Sequence, residues 1–198
     1  MSDDTILCWK SSLTSTGRVT VADYKAWRAE AETGKGKIAE FFRERMRERY
    51  IEPVIALDAD KKNGFAIMAL SCLLVETYET FRQGWRSSDG KSREAFGHFF
   101  NREDLFHDFS GHAEEFWKNV RCGILHQGET KGGWQITRAK SKPLFDAGTR
   151  TVHATKFHAR MAEVIDKYRG DLSANPLTSE IWKHFTKKMN ATIDNCKG

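Results

Sequence analysis

Apolar residues recur at helical spacing over most of the chain, and the filling of each run distinguishes one helix from the next. From Ile38 onward, Phe41, Phe42, Met46, Tyr50, Ile51 and Val54 keep one apolar face, while RERMRER sets both charge signs on the outer one. Pro53 is expected to kink or end this helix. Residues Gly64 to Trp85 differ, because Phe65, Met68, Leu70, Cys72, Leu73, Leu74, Val75, Tyr78 and Phe81 cover most of the circumference. That pattern predicts a central, buried helix. SSDGKS (Ser87 to Ser92) breaks it, and the phenylalanine-rich REAFGHFFNREDLFHDFSG is expected to hold short helices against the core. HAEEFWKNVRCGILHQG reads as the next long helix. Helical spacing returns at Phe157, Met161, Val164, Ile165 and Tyr168, and a last helix around SEIWKHFTKKM follows Pro176.

Other stretches leave this period. TILCW and RVTV read as short strands, ADYKAWRAEAE as a helix, and TGKGK (Thr33 to Lys37) as a loop or hinge. After the glycine-rich exit of the HAEEFWK helix, GGWQITR and KPLFDAGTRTVHAT predict a small β-hairpin. No internal repeat or low-complexity tract is present. The organisation expected is an N-terminal extension over residues 1–34, of mixed short strand and helix packed on the core, followed by a single helical domain over 35–198.

Composition narrows the function classes. The 198 residues, 39% of them hydrophobic, suit one compact domain with a real core. The longest apolar stretch, FAIMALSCLLV (Phe65 to Val75), is roughly half of the ~20 residues a membrane span needs, so no membrane role is expected. The start, MSDDTILCWKSS, is acidic where a secretory signal is basic, and a cytoplasmic protein is expected. A net charge of +5 suits an anionic partner such as RNA. Cys8, Cys72, Cys122 and Cys196 lie far apart with no CxxC pair, which points to neither a zinc knuckle nor a thioredoxin-type site. His107 and His112, like His153 and His158, are five apart, off the i, i+4 spacing that sets two histidines on one helix face for a metal. GKGK and GETKGG do not match a P-loop, and no GxSxG occurs. No metal and no cofactor are therefore expected. Phe96, Phe99, Phe100, Phe106 and Phe109 read as core fillers rather than as stacking platforms for bases.

The candidate chemistry lies in EFWKNVRCGILHQGETKGGW, Glu115 to Trp134. On a helical wheel Phe116, Trp117, Val120 and Ile124 share an inward arc, and Arg121 and His126 are left unexplained by it. Their separation amounts to an offset of roughly 140° and a rise of about 7.5 Å, so a shared site requires long reach, a loosened helix end or a second copy of the chain. Gly123 and Gly128 are placed to loosen that end. Histidine titrates near neutrality, and arginine is a permanent fork-shaped donor matched to phosphate. Such a pair can cleave RNA: histidine takes the ribose 2′-hydroxyl proton, that oxygen attacks phosphorus, and arginine stabilises the developing charge. Spacing alone is equally met by a helix-end histidine interacting with the helix dipole and a surface arginine.

NVRCGILHQGE, closing a helix that follows a long buried one, resembles the R-x4-6-H motif of the HEPN superfamily (higher eukaryotes and prokaryotes nucleotide-binding), with Arg121 and His126 in the motif positions. The order of elements is similar too, from NGFAIMALSCLLVETYETFRQGW through a variable connector to the motif helix and then KFHARMAEVIDKYRGDL, covering roughly residues 38–170. The resemblance implies an all-α antiparallel helical bundle, here with the small β-hairpin after the motif helix, that commonly forms homodimers. In active members it implies a metal-independent endoribonuclease leaving 2′,3′-cyclic phosphate, found in toxins, phage-defence systems and RNA processing, with RNA as substrate and an antitoxin or defence-system protein as a possible partner. It also implies an acidic residue on the long helix near the motif arginine, for which Glu76 is the first candidate and Glu79 the second. Lys118 and Asn119 are candidate supporting groups, and Cys122 stands where family members often carry a polar residue. The alternative implied by silent members is a non-catalytic module binding RNA, a nucleotide or a protein partner. A purely structural helical interaction domain is the third class.

Overall fold

The computed structural model describes residues 3–55 and 63–195, so that Cys196 lies outside the described residues. The chain is mostly helical, with two small sheets. It divides into two compact units, one of Met1–Pro53, Thr80–Ser87 and Ile165–Gly198, the other of Val54–Glu79 and Ser88–Val164. Residues 1–34, read from sequence as an extension, fall inside the first unit.

The first unit opens with the strands expected from TILCW and RVTV. β1 (Ile6–Cys8) pairs antiparallel with β2 (Val19–Thr20), which runs directly into α1 (Val21–Ala29). A capping box starts that helix: the Thr20 hydroxyl accepts from the Asp23 N–H, and the Asp23 carboxylate accepts from the Thr20 N–H at 2.8 Å. Val21, Tyr24 and Trp27 recur at helical spacing and are buried. α2 (Lys35–Met46) buries Ile38, Phe41, Phe42 and Met46, and its Arg45, also buried, donates to the Leu7 carbonyl of β1. The core of this unit is aromatic. Phe42 meets Phe81, Tyr168 and Phe185 edge-on, with centroids 4.9, 5.1 and 5.9 Å away.

One expectation here is corrected and another is met in part. TGKGK is not a loop: Thr33 ends a short 3-10 turn and α2 begins at Lys35, leaving Gly34 as the junction. Gly34 is needed there because a Cβ would lie 1.9 Å from the Trp27 carbonyl oxygen. Pro53 does not end the helix at its own position, but the helix departs from α geometry just before it. A π turn over Arg47–Ile51 precedes it, and Pro53 sits within α3 (Glu52–Ile55). Proline lacks the N–H that would bond four residues back and its ring crowds that carbonyl, so the helix widens in the turn before it.

The second unit contains α4 (Gly64–Arg82) up to Glu79, α5 (Ser92–Arg102), a 3-10 segment (Asp104–Phe109), the motif helix, the second sheet and the start of α8 (Ala154–Ala174). α4 is long and apolar enough to cross a membrane, and 61% of its apolar 18-residue window is buried within the protein. Its buried apolar residues are joined by buried Glu76 and Glu79. Phe96, Phe99, Phe100, Phe106 and Phe109 are buried, as expected, and form one cluster with Phe116, Phe145 and Phe157; Phe100 stacks on Phe109 at 4.7 Å. A hairpin is present, but within KPLFDAGTRTVHAT alone, as β4 (Phe145–Asp146) against β5 (Thr151–His153); GGWQITR, expected as an arm of it, supplies β3 (Gln135–Thr137), which pairs with the other edge of β5 in parallel. Residues Gln135–Thr137 and Thr151–His153 are too far apart in sequence for local turn signals to announce that pairing. α9 (Glu180–Asn195), in the first unit, fulfils the last helix predicted.

The two glycines of TGKGK should behave oppositely on substitution. Gly34→Ala drives a methyl into the Trp27 carbonyl and is expected to destabilise by about 1–3 kcal/mol. Gly36→Ala, inside α2 with open space around it, is expected to stabilise by about 0.5–1 kcal/mol. Urea unfolding of the two variants checks the contrast.

Candidate active site

The motif helix is continuous but not uniform. It consists of α6 (Ala113–Phe116), a π turn (Trp117–Arg121) and α7 (Cys122–Gln127). The Cys122 N–H reaches the Trp117 carbonyl, five residues back, so the turn holds one residue more than an α-turn. This insertion rotates everything after it. The wheel sets Ile124 on the core face, but Gly123 is the residue buried there and Ile124 is half-exposed. Gly123 is indispensable to the local packing, since a Cβ on it would lie 2.4 Å from the Glu129 carbonyl oxygen. Gly128 closes the helix in the left-handed region at φ 70°, its N–H bonded to the Ile124 carbonyl at 3.1 Å. The following loop then folds back: the Lys131 N–H donates to the Asn119 carbonyl at 2.9 Å.

Arg121 and Glu76 meet across the second unit, Nε to Oε1 at 2.6 Å. Burial works against the charge on Arg121, but the bond to Glu76 and its negative charge more than offset this, and the guanidinium is held more firmly protonated than usual. The same Glu76 oxygen accepts from the Ser92 hydroxyl at 2.9 Å, and Ser92 in turn accepts from the Trp117 indole N–H at 3.0 Å. At the other end Arg121 Nη1 lies 3.5 Å from His126 Nε2, on the exposed rim. A guanidinium offers only donors, so this contact requires Nε2 as an acceptor, with the ring proton on Nδ1. The helical offset between the two residues is thus bridged within one chain, by the reach of the arginine side chain.

The structure sorts the residues singled out in the sequence. Arg121, His126 and Glu76 come together, and the Cys122 sulfur also interacts with the guanidinium. Cys72, one turn before Glu76, is fully buried, and burial pushes its thiol well up, which keeps it protonated. Asn119 faces away from this cluster, its amide packed where a Cβ on Gly132 would come within 2.9 Å of Oδ1, and Lys118 is exposed. Glu79 is engaged elsewhere, bonded to Arg102. Ser92 and Trp117 escaped notice: Ser92 lay in a stretch read only as a helix breaker, and its partners are 16 and 25 residues away. Trp117 falls in the inward apolar arc, where its indole N–H carries no signal. His158 Nδ1 lies 3.0 Å from the Ser71 hydroxyl, and His153 Nδ1 accepts from the Lys156 N–H, both internal bonds.

The chain matches no family model, no curated protein and no solved structure.

The coupling of the ion pair is measurable as stability. Glu76→Ala leaves the Arg121 charge uncompensated and is expected to cost about 3 kcal/mol, whereas the double substitution Glu76→Ala/Arg121→Met should recover most of that loss. Denaturant unfolding of wild type, single and double variants reads the coupling; additive losses would show that the two side chains act independently.

Proposed function

We propose that this protein is a metal-independent endoribonuclease of the HEPN kind, acting as a homodimer in the cytoplasm. The observation that carries the reading is the Glu76–Arg121–His126 constellation: a charged guanidinium clamped by a buried carboxylate, presenting Nη1 to an exposed imidazole 3.5 Å away. A mostly helical chain, with the motif on a helix packed against a long apolar one, agrees with a HEPN-like bundle.

The chemistry follows from the groups present. With Nε2 unprotonated, His126 accepts the proton of a ribose 2′-hydroxyl, and the freed oxygen attacks the adjacent phosphorus. The phosphorus–O5′ bond breaks and leaves a 2′,3′-cyclic phosphate. Arg121 donates to the non-bridging oxygens as their charge grows, and Glu76 fixes the guanidinium so that little reorganisation is needed at that moment. The departing 5′-oxygen takes a proton from water or from the second histidine of a dimer. Dimerisation is supported by Leu73, one turn before Glu76, and Leu125, next to His126, which are 40% and 37% exposed. Covering both would remove apolar surface from water and bring two motifs together.

RNA incubated with the protein in excess EDTA is expected to be cut, leaving 2′,3′-cyclic phosphate ends. His126→Ala, which removes an exposed ring, should lower the rate by at least about 10²-fold with no loss of stability. Arg121→Lys keeps the charge opposite Glu76 but loses the fork, and should be nearly as inactive. Pure wild-type protein that leaves varied RNAs intact would overturn the proposal.

A further inference from the structure

The loop between β1 and β2, residues 9–18, presents Trp9 to solvent in a fixed frame. Trp9 is 56% exposed, while Trp27, Trp134 and Trp182 are buried. Two glutamates of the helical segment 35–51 hold the loop. Glu48 accepts from the Trp9 N–H at 2.8 Å, and Glu44 accepts from the Ser11 hydroxyl at 2.5 Å and from the Ser12 N–H and hydroxyl at 3.0 and 2.8 Å. Across the loop, the Ser11 N–H donates to the Gly17 carbonyl at 2.9 Å and the Thr14 hydroxyl to the Arg18 carbonyl at 2.6 Å. The backbone that carries the ring is thus held before any partner arrives, and the entropy of fixing that loop falls in folding rather than in binding.

The charges beside it indicate what kind of partner fits. The Arg18 guanidinium lies over one face of the indole, 5.0 Å from its centroid, while the residue stays 56% exposed. Lys10 is exposed alongside. Among the described residues neither Lys10 nor Arg18 enters an ion pair, in contrast to Arg43, Arg82, Arg102 and Arg169. Glu44 and Glu48 are half-buried and engaged by the loop's own N–H and hydroxyl groups, so Lys10 and Arg18 are the charges it exposes beside the ring. A polyanion with flat aromatic units meets both features at once, stacking a base on the ring and setting phosphates on the cations.

We infer that Trp9, with Arg18 and Lys10, is a stacking site for single-stranded nucleic acid. It lies outside the Glu76–Arg121–His126 site and does not require that site to cleave anything. The test uses the full chain and a labelled 2′-O-methyl single-stranded RNA of about 12 nucleotides, which cannot be cut, followed by fluorescence anisotropy. Trp9→Ala is expected to weaken binding on the order of 10-fold, Trp9→Phe to retain most of the affinity, and Lys10→Gln and Arg18→Gln each to flatten the log–log salt dependence by about 0.7. Cleavage is read separately, on unmodified RNA, so a failure here and a failure of the cleavage assay are separate results. Trp9→Ala protein that unfolds at the wild-type urea midpoint yet binds the strand with wild-type affinity overturns the inference, as does equal binding of duplex and single strand. A ring that instead serves a protein partner gives the first of these outcomes.

Discussion

A carboxylate only 6% exposed in the middle of an apolar helix must be compensated where it stands, and Glu76 is compensated by Arg121. That one bond joins residues 45 apart in sequence and ties α4 to the motif helix. Through Ser92 and Trp117 the same carboxylate oxygen also ties in the start of α5. The position of the guanidinium, and hence its approach to His126, follows from the burial of Glu76. Without that burial Arg121 would be a long, mobile side chain on a helix surface.

The second unit uses the same device at a second place with a different result. Glu79 and Glu103 are buried and share Arg102, whose Nη atoms go to Glu79 and whose Nε goes to Glu103; Tyr78 donates to Glu103 at 2.7 Å. There the whole fork is consumed by protein carboxylates. Arg121 commits Nε to Glu76 and turns Nη1 to an exposed ring nitrogen. The chemical distinction between a structural arginine and a candidate catalytic one lies in this difference, since both carry a charge held against burial by carboxylates.

Helical periodicity foretold the elements well where tertiary contacts merely reinforce local preference. α4, α8 and α9, the two short N-terminal strands and the phenylalanine cluster stand where the apolar pattern sets them. It erred where backbone meets backbone. Gly34 against the Trp27 carbonyl, Gly123 against Glu129, and β3 alongside β5 all depend on residues that are not neighbours on any wheel or strand. Both π turns belong to this class, because a single inserted residue changes which side chain faces the core without altering composition.

The candidate site shows the same division. The sequence by itself determined that Arg121 and His126 share one helix and that their ideal directions diverge, because these follow from periodicity, while Glu76 stood only as a candidate named on the resemblance of the motif. Only the tertiary structure decided between Glu76 and Glu79 as the partner of Arg121, and showed that Ser92 and Trp117 complete the hydrogen bonds and that the Asn119 amide packs against Gly132. The reason is physical. A short-range pattern dictates which side chains leave water, but the partner of a buried charge is chosen by which helices pack against it.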